Sequence, residues 1–286
     1  EMIKAQINKE NESPSYYSLM KYKNIIGKNK PFSASIEGNI SDLEKINEEN
    51  LYSYYNKFVN DNSIDIFVIG NIDFDRIEKI IDEGFILKEK RIILNDIYLS
   101  YDKPFTEEKI KSKFTQSRLV MGGSTKELTE HEKKYEAIIY NIILGNSPTS
   151  KLFQNVREKH SYAYNISSSF TRLDQMFYVT AGISKENYED TKNQVFKEIE
   201  EMKKGNFTMK DVNDAKQVVL GIIREINDYQ SAMIDHYFNC LYLGSDSLSE
   251  QKEQIKKITK DDIIKLANKI NIDTVLLVEE DENEKN

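Results

Sequence analysis

Two segments of the chain share one pattern of apolar and polar positions. One runs from Lys45 as KINEENLYSYYNKFVNDNSIDIFVIG, and the other runs from Lys257 as KITKDDIIKLANKINIDTVLLVEED. Each has a polar start, an amphipathic helical stretch that ends in Asn-Lys plus an apolar residue, and then an apolar run typical of a strand. Each also follows a helical stretch that ends at a glycine, Gly27 or Gly244. The chain is therefore predicted to contain two similar units.

The two predicted units differ in length. The second extends from about Lys113 to Lys257 before its copy of the pattern, whereas only 44 residues precede Lys45. If the units are homologous, about 100 residues of the first are absent from this sequence. We expect a truncated first domain over residues 1–85, a linker with one short strand over 86–112, a complete second domain over 113–278 and a disordered tail over 279–286.

The second unit alternates strand-like and helix-like stretches. SRLVMGGST predicts a strand, and the capping box Thr129-x-x-Glu132 opens the helix that follows it. YAYNISSSF and MFYVTAGIS, joined by the polar TRLDQ, predict a hairpin, and TVLLV predicts a closing strand. Further helices are expected over KLFQNVREK, from Tyr188 to Lys203 and from Thr208 to about Tyr242. This order predicts a two-layer α+β fold, with helices packed on one face of a largely antiparallel sheet.

Composition narrows the functional classes. The sequence is 39% hydrophobic, enough for a core, but it lacks an apolar run of the roughly 18 residues that a membrane span needs. A net charge of −8 argues against nucleic acid as the main partner, because phosphate binding requires a concentrated basic face. Cys240 is the only cysteine, which rules out an internal disulfide and every cysteine-based zinc cluster. A reducing, cytoplasmic location is expected.

Neither a catalytic group nor a metal site follows from the spacing of reactive residues. The histidines are His131, His160 and His236, and no two lie at i and i+4, so neither H-E-x-x-H nor H-x-x-E-H is present. His131 and His160 are interpreted as solvated side chains and His236 as a partly buried one. The sequence contains no G-x-S-x-G motif and no phosphate-binding Walker loop. We therefore predict that this chain holds no catalytic zinc.

The stretch SKLFQNVREKHSYAYNI changes from a helical to a strand-like pattern after Ser161. Arg157 precedes this change and Tyr164 follows it, seven positions later. Two interpretations follow from the residues alone. Arg157 pairs with a helix carboxylate while Tyr164 packs in the sheet, or both side chains reach the same bound molecule.

The same stretch resembles the carboxyl-terminal domain of the insulinase/pitrilysin-like zinc peptidases, a group that includes the mitochondrial processing peptidase. The family pattern is a leucine or phenylalanine, then Arg-Glu-x-x-x-x-Ala/Gly-Tyr, matched here by Phe153, Arg157, Glu158, Ala163 and Tyr164. IDIFVIGNIDFDRIEKII resembles the end of the family's first domain. TQSRLVMGGST, SPTSKLFQNVREK and DNSIDIFVIG are most similar to Firmicute members that lack the zinc motif and are encoded beside an intact partner.

The resemblance implies a fold like that of the mitochondrial processing peptidase, in which two similar α+β domains close around a substrate chamber. In such proteins the first domain carries H-x-x-E-H, whereas the second lacks zinc and supplies an arginine and a tyrosine near the scissile bond. Arg157 and Tyr164 would then bind a peptide or unfolded polypeptide substrate. Zinc would belong to the complete enzyme or to a partner subunit, and the expected partner is a second peptidase-like domain or a homologous subunit.

Three functions stay open at this point. The chain could be the carboxyl-terminal half of a zinc metalloendopeptidase, or of one subunit of a two-subunit peptidase, and form half of the substrate chamber. It could be a zinc-less, non-catalytic partner subunit that binds peptide or acts as a scaffold for the active subunit, or it could be an interaction domain that has lost peptide binding and has no protease role. An H-x-x-E-H motif encoded upstream would separate the first possibility from the second.

Overall fold

The computed structural model describes residues 1–28, 30–84 and 104–281. Its α-helices are α1 (Met2–Asn11), α2 (Pro14–Gly27), α3 (Ile40–Leu43), α4 (Glu48–Asp61), α5 (Phe74–Gly84), α6 (Ala137–Leu144), α7 (Tyr188–Lys203), α8 (Met209–Glu225), α9 (Gln230–Leu243), α10 (Leu248–Lys257) and α11 (Lys260–Ala267). Its strands are β1 (Thr106–Ser112), β2 (Ser117–Ser124), β3 (Ala163–Thr171), β4 (Met176–Ile183) and β5 (Thr274–Glu280). Two π-helical segments, Glu132–Glu136 and Phe153–Glu158, precede α6 and β3.

The described residues divide into two compact units that interleave along the chain. One unit contains residues 1–38, 104–220 and 249–281, apart from residue 29, and it holds the whole sheet. The other contains residues 39–84 and 221–248. The predicted domain boundaries, which follow the sequence repeat, stay a prediction. Residues 86–103 of the predicted linker and 282–286 of the predicted tail lie outside the described residues.

The five strands form one sheet in the order β1-β5-β2-β4-β3. β1 pairs with β5 in parallel, and the other three pairings are antiparallel. The predicted α+β class and largely antiparallel sheet are confirmed. β1 supplies the short strand that the predicted linker contains, and β5 continues through Glu280, beyond the predicted domain end at residue 278.

Helices cover both faces of this sheet rather than one. Tyr140 of α6 meets Phe177 of β4 edge to face, with 5.8 Å between ring centroids. Tyr22 of α2 lies 6.4 Å from the ring of Tyr178, the next residue of β4. Successive strand residues point to opposite faces, so α2 packs on the face opposite α6. Tyr22, Ile26, Val120, Leu276 and Val278 share the core under α2.

Several element boundaries follow the sequence patterns closely. The hairpin of β3 and β4 and the helix from Tyr188 to Lys203 form as predicted. The capping box at Thr129 is present, since the Thr129 amide donates to Glu132 at 2.7 Å and the Glu132 amide donates to Thr129 at 3.2 Å. Local hydrogen-bonding chemistry therefore fixes these elements.

Three predicted elements differ in the structure. The helix expected from Thr208 to about Tyr242 is two helices, α8 and α9, separated at Tyr229, which is extended with φ −123°. KLFQNVREK is π-helical over Phe153–Glu158 rather than regularly α-helical. The apolar run IDIFVI at residues 64–69, expected to form a strand, pairs with no described strand. The equivalent TVLLV becomes a strand because β1 and β2 lie on its two sides.

The two copies of the repeated pattern share one further feature. α4 begins with a capping box between Asn47 and Asn50, and α11 begins with one between Thr259 and Asp262. Reciprocal caps of this kind satisfy the free amides of the first helical turn. The shared cap supports the repeat, while the homology of the two units stays a prediction.

Gly123 of β2 lies where the loop before β5 approaches the strand most closely. A Cβ atom at this position would overlap the carbonyl oxygen of Asn271. The loop is held there by two hydrogen bonds, from the Asp273 amide to the Gly122 carbonyl at 3.0 Å and from the Ser124 amide to the Asp273 carboxylate at 3.1 Å. A side chain at Gly123 must therefore displace backbone rather than a mobile side chain.

We expect Gly123→Ala to lower the free energy of unfolding by about 2 kcal/mol, because the methyl group overpacks against backbone. The control is Gly221→Ala in α8, where an added Cβ meets no atom within 4 Å. That change is expected to raise stability by about 0.5–1 kcal/mol, since glycine is unfavourable inside a helix. Urea denaturation of both variants tests this, and equal stability of the two would contradict it.

The edge strand β1 is tied to α7 by a polar cluster around Tyr188. The buried Tyr188 hydroxyl donates to Glu107 at 2.6 Å, and Lys192 donates to the same carboxylate oxygen at 2.9 Å. Lys109 and Lys192 lie 4.5 and 4.8 Å from the centre of the Tyr188 ring. The hydrogen bond from Tyr188, followed by that from Lys192, lowers the pKa of Glu107 below its ordinary value of 4.5.

Because the folded state lowers the pKa of Glu107, it gains stability from this carboxylate above pH 4.5 and loses it as the pH falls through the lowered pKa. Glu107→Gln is therefore expected to cost about 1 kcal/mol at pH 7 and progressively less below pH 4.5. Chemical denaturation from pH 7 to pH 3 measures the difference. Glu108→Gln, on the opposite face of β1, is the control, and a pH-independent effect of Glu107→Gln would contradict the assignment.

Candidate functional site

Arg157 lies in the π-helical segment that leads into β3. In this segment the Lys159 amide donates to the carbonyl of Gln154 at 3.0 Å, one residue further back than in an α-helix. The Arg157 guanidinium carbon is 4.6 Å from the centre of the Phe153 ring, and its Nε is 3.7 Å from a Glu158 oxygen. The side chain is 42% exposed. It thus has the helix carboxylate partner of the first interpretation, but an exposed pair of this length holds it weakly.

A tight turn at Ser161 joins this helical segment to β3. Ser161 has φ 55°, in the left-handed region, where a residue with a side chain costs roughly 1–2 kcal/mol. The turn is closed by the Ser161 amide bonding to the Arg157 carbonyl and the Tyr162 amide bonding to the Val156 carbonyl, both at 3.0 Å. The chain therefore reverses within a few residues between Arg157 and Tyr164.

Tyr164 is the extra residue of a β-bulge. In the pairing of β3 with β4, Ala163 is opposite Ile183 and Asn165 is opposite Gly182, which leaves Tyr164 without a partner. A bulge turns its extra side chain away from the regular alternation of the strand. Tyr164 is 63% exposed as a result, so it does not pack in the sheet as the first interpretation required.

The Tyr164 side chain lines a cavity of about 410 Å³ at one end of the sheet. The lining is mostly polar and comes from the ends of four strands and the segments beside them: Thr115, Gln116, Ser117, Tyr164, Ile183, Ser184, Lys185, Glu186 and Glu280. Arg157 is not among these residues. The structure therefore places Tyr164 on a cavity and Arg157 on the exposed turn before it, and their joint contact with a ligand stays a prediction.

Three side chains near this cavity were not identified from the sequence. Arg118 of β2 bonds through Nη1 to the Asn165 side-chain oxygen at 3.0 Å, and Gln116 lies beside them. The alternation of β2 places Arg118 on the same face as the core residue Val120. A charge at an otherwise core-facing position was the sequence signal that could have revealed this cluster.

The described residues include no group of three or more His, Cys, Asp or Glu side chains that could hold a metal ion. His131 contacts Glu136 at 2.9 Å, and His160 stacks on Tyr162 with 5.0 Å between ring centroids. His236 is buried, with Nε2 3.6 Å from the sulfur of Cys240. These residues do not fit a zinc site, which requires three protein ligands around one point.

The helix α6, at the end of the segment that the Thr129 capping box opens, is part of the core. All but one residue of α6 are buried. Asn141 accepts a hydrogen bond from Ser168 of β3 at 2.6 Å. Burial raises the pKa of the Tyr140 phenol, so this group stays neutral. α6 therefore has a structural role in the described fold.

The fold defines an α+β domain with a polar cavity at one end of its sheet. The profile of the peptidase M16 inactive domain matches residues 45–219. The chain therefore belongs to the peptidase M16 inactive-domain family, which confirms the resemblance to insulinase/pitrilysin-like peptidases. None of the described helices is long and apolar enough to cross a membrane.

Relatives from Bacillus subtilis confirm the finer resemblance to Firmicute proteins. A probable inactive metalloprotease, YmfF, is 27% identical over 91% of this chain and 62% of its own length. An uncharacterized zinc protease, YmxG, is 26% identical over 84% of this chain and 56% of its own length. The chain thus spans less than two thirds of either protein.

Among solved structures, a conserved protein from Enterococcus faecalis has the same fold. It superposes with a TM-score of 0.89 at 21% sequence identity, covering 98% of this chain and 67% of that protein. A likeness at this identity establishes the fold alone.

We expect the purified chain to retain no stoichiometric zinc after dialysis. All its histidines and its cysteine lie in described segments, and the His236–Cys240 contact supplies at most two ligands to any one point. Elemental analysis of dialysed protein measures the zinc content, with His236→Ala to identify any weak site. One tightly held zinc ion per chain, bound by side chains of that chain, would contradict the prediction.

Proposed function

We propose that this chain forms the non-catalytic half of a peptide-binding chamber in an M16-type peptidase. In this role it holds a peptide near the scissile bond with Arg157 and Tyr164, and it performs no bond cleavage itself. Zinc would be held by a domain or partner subunit outside this chain. The observation that carries the proposal is the β-bulge, which turns the Tyr164 phenol out of the sheet and onto a polar cavity.

The chemistry of the two side chains suits a peptide backbone. A phenol donates one hydrogen bond and a guanidinium donates several, and peptide carbonyls are acceptors. Where a carbonyl oxygen gains negative charge during hydrolysis, donors fixed in advance stabilise that charge. Tyr164 is held by the bulge, and Arg157 is held loosely by Phe153 and Glu158. Tyr164 is therefore the better-oriented donor, and Arg157 must leave an exposed pair to reach a substrate.

The second candidate is a peptide-binding or scaffold subunit with no protease role. The similarity to YmfF, a probable inactive metalloprotease, favours this second candidate. The similarity to YmxG, an uncharacterized zinc protease, favours the first. The first candidate and the peptide-binding form of the second both require a peptide-binding surface, so peptide binding is tested before turnover.

We expect the chain to bind labelled unstructured peptides, with Tyr164→Phe and Arg157→Ala each weakening binding about three- to tenfold, the contribution of one hydrogen bond. Fluorescence anisotropy measures the dissociation constants. Tyr229→Phe is the matched control, because Tyr229 and Tyr164 are both 63% exposed. Lys159→Ala controls for the loss of positive charge on the same turn. Unchanged binding by folded Tyr164→Phe and Arg157→Ala variants would contradict the assignment.

Turnover in an assembly with a zinc-bearing partner separates the two candidates. If Tyr164 acts in the transition state, Tyr164→Phe lowers kcat/KM about 100-fold through kcat. If it only holds the bound peptide, the loss is smaller and appears mainly in KM. If the chain binds peptides but no assembly with a zinc-bearing partner cleaves them, the second candidate, a subunit with no protease role, is the correct one.

A further inference from the structure

A row of three residues crosses the sheet beside Tyr164. In the strand register Arg118 of β2 is opposite Gly182 of β4, and Gly182 is opposite Asn165 of β3. Residues directly opposite one another share a face of the sheet, so Arg118 and Asn165 lie on one face with only a glycine between them. Asn165 is exposed, and so is Ser167 in the next row of this face. This end of the face is therefore open to solvent and polar.

Gly182 makes room for the guanidinium. A Cβ at Gly182 would be 2.5 Å from Arg118 Nη1, 3.1 Å from the Asn165 oxygen and 3.1 Å from the Gln116 oxygen. The Asn165 side-chain oxygen accepts one hydrogen bond from Arg118 and another from the Gly182 amide, both 3.0 Å long. The Arg118 side chain is thus held across the backbone of β4, with little freedom to move away.

Among the described residues, no carboxylate forms an ion pair within 4.0 Å of the Arg118 guanidinium, and its one hydrogen bond goes to the neutral amide of Asn165. The Arg118 Nε is buried without a partner. Burial alone lowers the pKa of Arg118, with no opposing contribution from a nearby acid. Half-buried arginines are normally paired, because leaving a charge partly desolvated is costly.

The Arg118 cluster adjoins the cavity that Tyr164 lines. Gln116 is in that lining, two residues before Arg118, and Asn165 follows Tyr164 directly. Arg118 and Asn165 are not themselves in the lining, which also carries Lys185, Glu186 and Glu280. Lys185 lies 3.5 Å from Glu279, and the pairing of β2 with β5, continued by two residues, brings Glu280 opposite Gln116. These carboxylates disfavour an anion inside the cavity, and the guanidinium of Arg118 beside it is the group that favours one.

We propose that Arg118, supported by Asn165 and Gln116, is a subsite for a carboxylate of the bound peptide. This inference rests on the proposed peptide-binding function and adds a preference for acidic peptides. A guanidinium presents several donors in a plane that matches a carboxylate, and the charged hydrogen bonds are stronger than neutral ones. The carboxylate belongs either to an acidic side chain or to the free carboxyl terminus of the peptide.

The test uses labelled unstructured peptides in which a single Glu is moved along an otherwise neutral sequence, each paired with the same peptide carrying Gln. Each pair is made with a free and with an amidated carboxyl terminus. Wild-type chain is expected to favour the carboxylate at one position about tenfold. A preference for internal Glu identifies a side chain, and a preference that requires the free terminus identifies the terminal carboxylate.

Arg118→Gln is expected to abolish this preference while leaving the affinity for neutral peptides unchanged. Arg118→Lys keeps the positive charge but lacks the planar guanidinium, and it is expected to retain part of the preference for a carboxylate. Arg172→Gln is the control, because Arg172 is at the other end of the same hairpin and already pairs with Glu130 at 3.0 Å. Thermal unfolding shows whether each variant is folded.

Two results would overturn the subsite. Wild-type chain could bind peptides with no preference for a carboxylate at any position, or the preference could survive in folded Arg118→Gln. Either result leaves the proposed peptide-binding function intact. If wild-type chain binds no peptide at all, the proposed function and the subsite are both overturned.

Discussion

The pairing of β4 with both β2 and β3 is the interaction on which the rest of the site depends. Among the described strands, β4 alone pairs with both β2, which carries Arg118, and β3, which carries Tyr164 and Asn165, so its register decides which of these residues share a face. A shift of one residue would move every side chain of a strand to the opposite face. Arg118 would then leave Asn165, and the bulge at Tyr164 would no longer project onto the cavity. The position of the site is therefore a property of strand register rather than of any one loop.

Much of this fold follows from patterns that act over short distances. The hairpin of β3 and β4, the bounds of α7 and the cap at Thr129 depend on neighbouring residues, so the sequence alone predicts them. The run IDIFVI at residues 64–69 is also apolar. Its residues pair with no described strand, and a strand forms only where a second backbone supplies hydrogen bonds. An alternating apolar pattern indicates that a segment can form a strand. Whether it does so depends on a neighbouring strand that pairs with it.

Only part of the candidate site could be predicted from the sequence, because the rest depends on contacts between residues that are distant in the chain. The motif identified Arg157 and Tyr164, but their local surroundings depend on a π-helical segment, a left-handed Ser161 and a bulge, and none of these has a periodic signature. Arg118 and Asn165 are 47 residues apart in the sequence, so only the pairing of three strands brings them together. Contacts of that kind become visible once the register is known.

Two parts of this site differ in their physical character. The turn around Ser161 has a constrained backbone, and the Arg118 cluster has a charge without an acidic partner among the described residues. Between Arg157 and Tyr164 the backbone is constrained, because Ser161 adopts a conformation that side chains disfavour and β3 gains an extra residue. Arg118 lies over Gly182 and bonds only to the neutral side chain of Asn165 among the described residues. A surface built only for packing would relax both features, because a glycine at residue 161 and a neutral residue at 118 would each remove a cost. Strain and an unpaired charge are features that binding surfaces can retain, because a ligand supplies the compensating contacts, and they therefore support the proposed peptide-binding role.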